Sequence, residues 1–226
     1  ERYILWDNLT KVADLHNKPW IMASDFNEPL IDEDKFGGKG VNVNRSLMFK
    51  ECLDSCNMVD MGFTGPRYTW TNKRDLNNLI LERIDRFFMN PDWCLLYPDA
   101  KVKHLPRCHS DHCPVLTEAT LSRFTSLTRS FKFQEFWLSD SSFPSVVSQA
   151  WSRGRGLAEH IDNFSKDASI WNKNHFSNIH LKKKRVVARI YGVQKALASH
   201  PSADLINLEK LLHQELDLLL DQKCDL

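Results

Sequence analysis

Pro19-Trp20-Ile21-Met22-Ala23-Ser24-Asp25-Phe26-Asn27 is a short apolar run that empties into Asp-x-Asn. A run of this length between polar segments reads as a buried strand. Side chains alternate along a strand, so Asp25 and Asn27 at its end are expected to point the same way. The competing reading is an Asx turn or a cap, which Asp and Asn also favour.

Upstream, Ile4, Leu5, Leu9, Val12, Ala13 and Leu15 have the spacing of an amphipathic helix. Downstream, Gly37, Gly38 and Gly40 mark a loop. Asn44 or Ser46 is then expected to cap a helix whose apolar positions are Leu47, Met48, Cys52 and Leu53. Gly65-Pro66 is a strong turn. Arg67 to Asn72 alternates and is rich in β-formers, and Leu79 to Met89 follows as a second strand, so the two read as a hairpin. Trp93 to Tyr97 reads as a short helix, Ala100 to Leu105 as a strand, His109 to His112 as a loop, and Cys113 to Thr117 as the start of a last strand.

After about Thr120 the pattern changes. Leu121 to Ser130 is a Ser/Thr/Arg-rich linker, Phe131 to Trp137 is an aromatic cluster, and from Phe143 the spacing is helical. Leu157 to Ala198 suits one long helix or two. His200-Pro201-Ser202 breaks it, and Ser202 is a plausible N-cap for a last helix with Leu205, Leu208, Leu212, Leu216 and Leu219 on one face. The expected organisation is an α/β unit over 1–120, a linker with the aromatic cluster over 121–142, and an all-helical tail over 143–226 that forms a hairpin.

The 226 residues carry 30 basic and 29 acidic side chains, a formal net charge of +1. That balance removes any bulk electrostatic case for a nucleic-acid partner and leaves only local patches. At 42% apolar residues with seven Trp and 13 Phe, the chain can build an ordered core. No signal peptide or transmembrane run is present, and no membrane partner is expected. Cys108 and Cys113 flank His109 and His112, which raises zinc. No Cys-x-x-Cys pair exists, however, and reduced thiols are the simpler reading of the six cysteines.

Three motifs carry chemistry: Asp25-Phe26-Asn27, Arg83-Ile84-Asp85-Arg86, and Ser110-Asp111-His112-Cys113-Pro114. Hydrolysis of a phosphodiester needs these group types together. Carboxylates hold a hard divalent cation through oxygen. A second carboxylate can take the proton of the attacking water. An imidazole or amide can hydrogen-bond the phosphoryl oxygen as charge grows there. Taken singly each motif has a plainer reading. Asp85 would form a surface salt bridge with Arg83 or Arg86, and Asp111-His112 would be a simple turn. Yet Asp85 interrupts an apolar strand, and a carboxylate there needs a partner.

Taken together and in this order, with Tyr68-Thr69-Trp70 between the first two, these motifs resemble the endonuclease/exonuclease/phosphatase superfamily. The wording is most similar to the endonuclease of plant LINE-type non-LTR retrotransposons. Phe133-Gln134-Glu135-Phe136-Trp137-Leu138, Trp151, Trp171-Asn172-Lys173, Phe176, Lys182 to Lys184 and Gln194-Lys195-Ala196-Leu197 resemble the helical stretch that precedes the reverse transcriptase of such elements. The resemblance implies part of a two-sheet sandwich, an α/β (α+β) fold, followed by the helical tail. It implies a magnesium-dependent DNA endonuclease. Asp25 would activate water, Asn27 would contact the scissile phosphate, Asp111 would lie beside the metal, and His112 would hydrogen-bond the phosphate while Asp85 holds it. The family usually has Gly where Ser24 stands. DNA would be the partner and the nucleus the expected location, with the cytoplasm the alternative.

The family also opens with a strand ending in Asn and a strand carrying a metal-binding Glu. Only 24 residues precede Asp25, reading as one helix and one strand, so the expectation is a fragment lacking the metal-binding half and inactive as it stands. Lys182, Lys183, Lys184 and Arg185 carry the other reading, a tail that binds DNA or RNA through backbone phosphates. Their plainer role is a solvated helix face.

Overall fold

The computed structural model describes residues 2–119 and 131–224. It is a mixed α/β protein whose strands form small antiparallel sheets. The chain divides into two compact units, one of Glu1–Arg123 with Ile190–Lys210, the other of Phe124–Arg189 with Leu211–Leu226. The expected linker residues 121–130 lie outside the described residues.

In the first unit, α1 (Arg2–Asp14) precedes β1 (Ile21–Asp25), as the sequence predicts. After β2 (Lys35–Phe36) comes α2 (Val43–Ser55), capped by Asn42, whose side chain accepts from the Arg45 N–H. Neither Asn44 nor Ser46 is the cap. Ser46 is buried and its hydroxyl donates to Leu30 O at 2.6 Å. β3 (Val59–Asp60), β4 (Trp70–Thr71), β5 (Leu81–Glu82), β6 (Asp85–Met89), α3 (Pro91–Leu96), β7 (Lys101–His104) and β8 (Val115–Glu118) follow.

The strands make three sheets, ordered β1-β6-β3, β2-β5-β4 and β7-β8. The hairpin read from the sequence is β4 with β5, paired antiparallel at Trp70–Glu82 and Thr71–Leu81. The second strand of that hairpin is not continuous to Met89. It breaks at Arg83-Ile84, and β6 joins a different sheet. The break has a cause in hydrogen bonds. Arg83 N–H still donates to Asp34 O at 2.8 Å, in register with the β2-β5 pairing, whereas Ile84 N–H turns to the Thr69 hydroxyl at 3.0 Å and leaves the ladder.

The core beneath β1 and β6 is aromatic. Trp6 stacks on Phe49 with centroids 4.3 Å apart, and Phe26 meets Phe88 edge to face at 5.2 Å. Leu53, Cys52, Met22 and Met58 complete it. Such rings prefer these offset and T-shaped contacts, which add to the burial of their area. Phe26 is the x of Asp-x-Asn. Its burial pins the turn on which Asp25 and Asn27 sit.

The second unit contains α4 (Phe143–Trp151) and most of α5 (Leu157–Ser199), which is a single helix. The aromatic cluster packs there. Trp137 and Phe143 are buried with Ala168, against Phe136, Phe164 and Trp171. Both buried indoles find acceptors, Trp137 in Asn172 Oδ1 and Trp171 in the Ser142 hydroxyl, each at 3.0 Å. α6 (Ala203–Cys224) begins where the sequence sets its cap, with Leu205 N–H 3.3 Å from the Ser202 hydroxyl. Leu212 and Leu216 of its expected face are buried. No helix among the described residues is long and apolar enough to cross a membrane.

Candidate active site

Three segments distant in sequence build the site. Asp25 is the last residue of β1 and Asp85 the first of β6, and the antiparallel register sets them opposite each other. Two like charges directly opposite on paired strands repel. The third group is His112. A single antiparallel bridge between Trp70 and His112 brings it in, and its Nδ1 lies 3.0 Å and 3.2 Å from the two Asp85 carboxylate oxygens. One ligand atom from each of Asp25, Asp85 and His112 falls within 4.8 Å of the others.

Thr69 is the hub that aims Asp85. Its fully buried hydroxyl accepts the N–H of Ile84 at 3.0 Å and of Asp85 at 3.1 Å. Phe26 N–H donates to Ile84 O at 3.0 Å, so the turn carrying Asp25 is tied to the same strand entrance. The flanking arginines do not take up Asp85 as a salt bridge. Along a strand, neighbours face opposite sides, and Arg86 enters a buried network on the other face. Arg86 pairs with Asp34 and Asp60, and Arg83 Nη2 lies 2.7 Å from Asp60 Oδ1. Burial alone would raise the Asp60 carboxyl, but Arg83 and Arg86 outweigh it and hold the group below the usual carboxylate range. The Asp85 carboxylate is thereby left to His112.

Asn27 is exposed, and the pleat argument does not place it. The strand ends at Asp25, and Asn27 takes a left-handed conformation with φ 51°. Its N–H donates to Asp25 Oδ1 at 2.8 Å, the Asx turn that these residue types favour. Turn and cluster thus coexist at Asp25.

Asp111 lies outside the three-residue group but on the His112 loop. The Trp70 indole N–H donates to its Oδ2 at 3.0 Å, and Thr71 N–H to its backbone oxygen at 3.0 Å. The indole beside it holds the exposed Asp111 carboxyl below its ordinary value. Cys113 is buried, and burial, partly opposed by Arg107, pushes its thiol up to about 12.

The sequence-predicted residues Asp25, Asp85 and His112 therefore converge, with Asp111 and Asn27 beside them on the same turns. Lys182, Lys184 and Arg185 are exposed on α5 in the second unit, and Lys183 is half-buried. Thr69 and Trp70 hold two of the acidic groups, a role the sequence reading did not assign. Their only signal was membership of the Tyr68-Thr69-Trp70 motif.

Asp25 and Asp85 each offer a carboxylate oxygen within 4.8 Å of the other, and a hard divalent cation held there would relieve their repulsion. The chain matches no protein-family model and no curated protein.

Proposed function

We propose that the first unit carries the phosphate-binding and water-activating part of a magnesium-dependent phosphodiester hydrolase site of the endonuclease/exonuclease/phosphatase type, a two-sheet sandwich by kinship, acting on DNA in the nucleus. The observation that carries this reading is the Asp85–His112 contact at 3.0 Å with Asp25 in the same 4.8 Å cluster. Asp85 accepts from Nδ1–H and fixes the ring orientation. With both nitrogens protonated, Nε2–H donates to a nonbridging phosphoryl oxygen. Asp25 takes the proton of the attacking water. Asn27 contacts the same phosphate from the Asx turn. Asp111, held by Trp70, would lie beside the magnesium ion, as the resemblance implies. Bound magnesium supplies positive charge to the phosphoryl oxygens during displacement. The described residues offer few hard-cation donors at this point, so the chain binds DNA through the site and nicks it poorly.

The test is the sign of the magnesium effect on binding of a short DNA duplex. Ordinary electrostatic binding weakens as magnesium competes for phosphate. Binding through this site strengthens, because two carboxylates otherwise repel the phosphate. We expect magnesium to tighten binding by the wild-type chain and to weaken binding by Asp25→Asn and Asp85→Asn. Magnesium weakening all three alike refutes the reading. Rapid nicking of supercoiled DNA by the wild type, lost in Asp25→Asn, would overturn only its last clause.

A further inference from the structure

The loop that bears Asp111 and His112 is anchored at both ends by the β7-β8 hairpin, where Leu105 N–H donates to Pro114 O at 2.9 Å. Its interior is held by a residue far away in sequence. Gln194, on the final turns of α5 within the first unit, is 2% exposed. Its Oε1 accepts the Arg107 N–H at 3.0 Å, and its Nε2 donates to Arg107 O at 2.9 Å. One side-chain amide thus pairs both backbone groups of one residue, as a neighbouring strand would in a hydrogen-bonded antiparallel pair. The remaining Nε2 proton goes to Glu209 Oε1 of α6 at 2.7 Å, so the amide is fully used and its orientation is fixed.

Arg107 passes the constraint on. Its buried guanidinium donates to Tyr68 O at 3.0 Å, one residue before the Thr69 hydroxyl that holds the Asp85 amide. Six residues on from Arg107, Cys113 N–H donates to Thr69 O at 2.7 Å, and between them Asp111 O receives Thr71 N–H. Arg107 therefore touches the 68–71 segment that orients Asp85, and it begins the loop that delivers His112 against Asp85.

We propose that Gln194 is a positioning residue for the Asp85–His112 pair, with the α5–α6 turn region serving as a splint for the 106–113 loop. The inference rests on the functional reading above for its purpose, but its geometry is tested without any ligand. The variant is Gln194→Met in the full chain. It keeps the length of the side chain and removes all three bonds. Orphaning the buried Arg107 backbone groups costs about tenfold or more in local opening.

The expected result has two parts. The Thr71 and Cys113 amides exchange with solvent about tenfold faster or more, while the β1 and β6 amides Met22 and Phe88 keep their rates. The His112 imidazole nitrogen signals move away from those of a ring whose Nδ1–H is bonded to carboxylate, a change that loss of general stability does not produce. Gln194→Asn keeps the amide but draws it back from Arg107 by one methylene, and is read in the same way should Gln194→Met not fold. Wild-type exchange at Thr71 and Cys113, or an equal rise across the whole unit, overturns the proposal. Failure of the functional reading is a separate outcome, namely no tightening of DNA binding by magnesium in the wild-type chain.

Discussion

Replacing Thr69 by Val removes one oxygen and almost no volume, and the structure assigns that oxygen two tasks. It accepts the N–H groups of Ile84 and Asp85 at 3.0 Å and 3.1 Å, at a residue with 0% exposure. Water cannot replace it. Each orphaned buried N–H costs about 1–3 kcal/mol, so the pair predicts a loss of roughly 2–6 kcal/mol. That is a large share of the 5–15 kcal/mol typical of a domain. Thr69→Ser is the control. It keeps the hydroxyl, loses one methyl, and should cost about 1 kcal/mol. The assay is urea unfolding followed through backbone amide signals of the first unit, which separates its transition from that of the second. In the same samples the Asp85–His112 contact is read from the His112 ring nitrogens. Val is expected to lower the midpoint well below that of Ser and to loosen the His112 contact. Equal midpoints for Val and Ser, with His112 unmoved, would refute the claim that this hydroxyl builds the site.

Two further perturbations probe other parts of the molecule. His104 is 1% exposed, stacks on Phe63 at 4.5 Å, and donates from Nδ1 to Pro66 O at 2.7 Å; burial pushes its pKa down from 6.5 to about 4. The unfolded chain therefore binds the proton first, and the first unit should lose about 3 kcal/mol as pH falls from about 6.5 to about 4, with no further loss from this group below that. His104→Asn should flatten this part of the stability profile, and an unchanged slope would contradict it. In the second unit, replacing Lys182, Lys183, Lys184 and Arg185 together by Ala should lower the slope of log affinity for single-stranded nucleic acid against log salt by roughly 1–3 if these side chains meet phosphates. An unchanged slope assigns them to a solvated helix face.

What the sequence could and could not convey follows from where each bond partner lies. α1, β1, α3 and the Ser202 cap were legible because their signals are local: apolar spacing, a short apolar run, and a hydroxyl three residues ahead of the N–H it accepts from. The break between β5 and β6 was not, because Leu79 to Met89 keeps a strand-like composition. The diversion comes from the Thr69 hydroxyl, which takes the Ile84 and Asp85 N–H groups and which local pattern does not register. At Asp85 the sequence raised the right question, since a carboxylate inside an apolar strand needs a partner. The flanking Arg83 and Arg86 were the visible partners, and alternation across the strand sends Arg86 to Asp34 and Asp60 instead. Asp25 and Asn27 were marked correctly as a unit, but an Asx turn sets them and the strand pleat does not. Gln194 entered the sequence reading only within Gln194-Lys195-Ala196-Leu197, with no role of its own. It lies 87 residues from Arg107, and a Gln in a long helix looks solvent-facing until the loop it holds is in place.

The central claim is that Asp25, Asp85 and His112 form one site that holds a phosphate with a divalent cation beside it. Paramagnetic broadening by substoichiometric manganese tests it most directly, because the effect falls steeply with distance and needs no turnover. The account predicts that signals of residues 25–27, 84–86 and 110–112 broaden first and together, and that Asp25→Asn abolishes this. Broadening that begins at other acidic stretches, such as Asp32-Glu33 or Asp75, and leaves His112 sharp would contradict it.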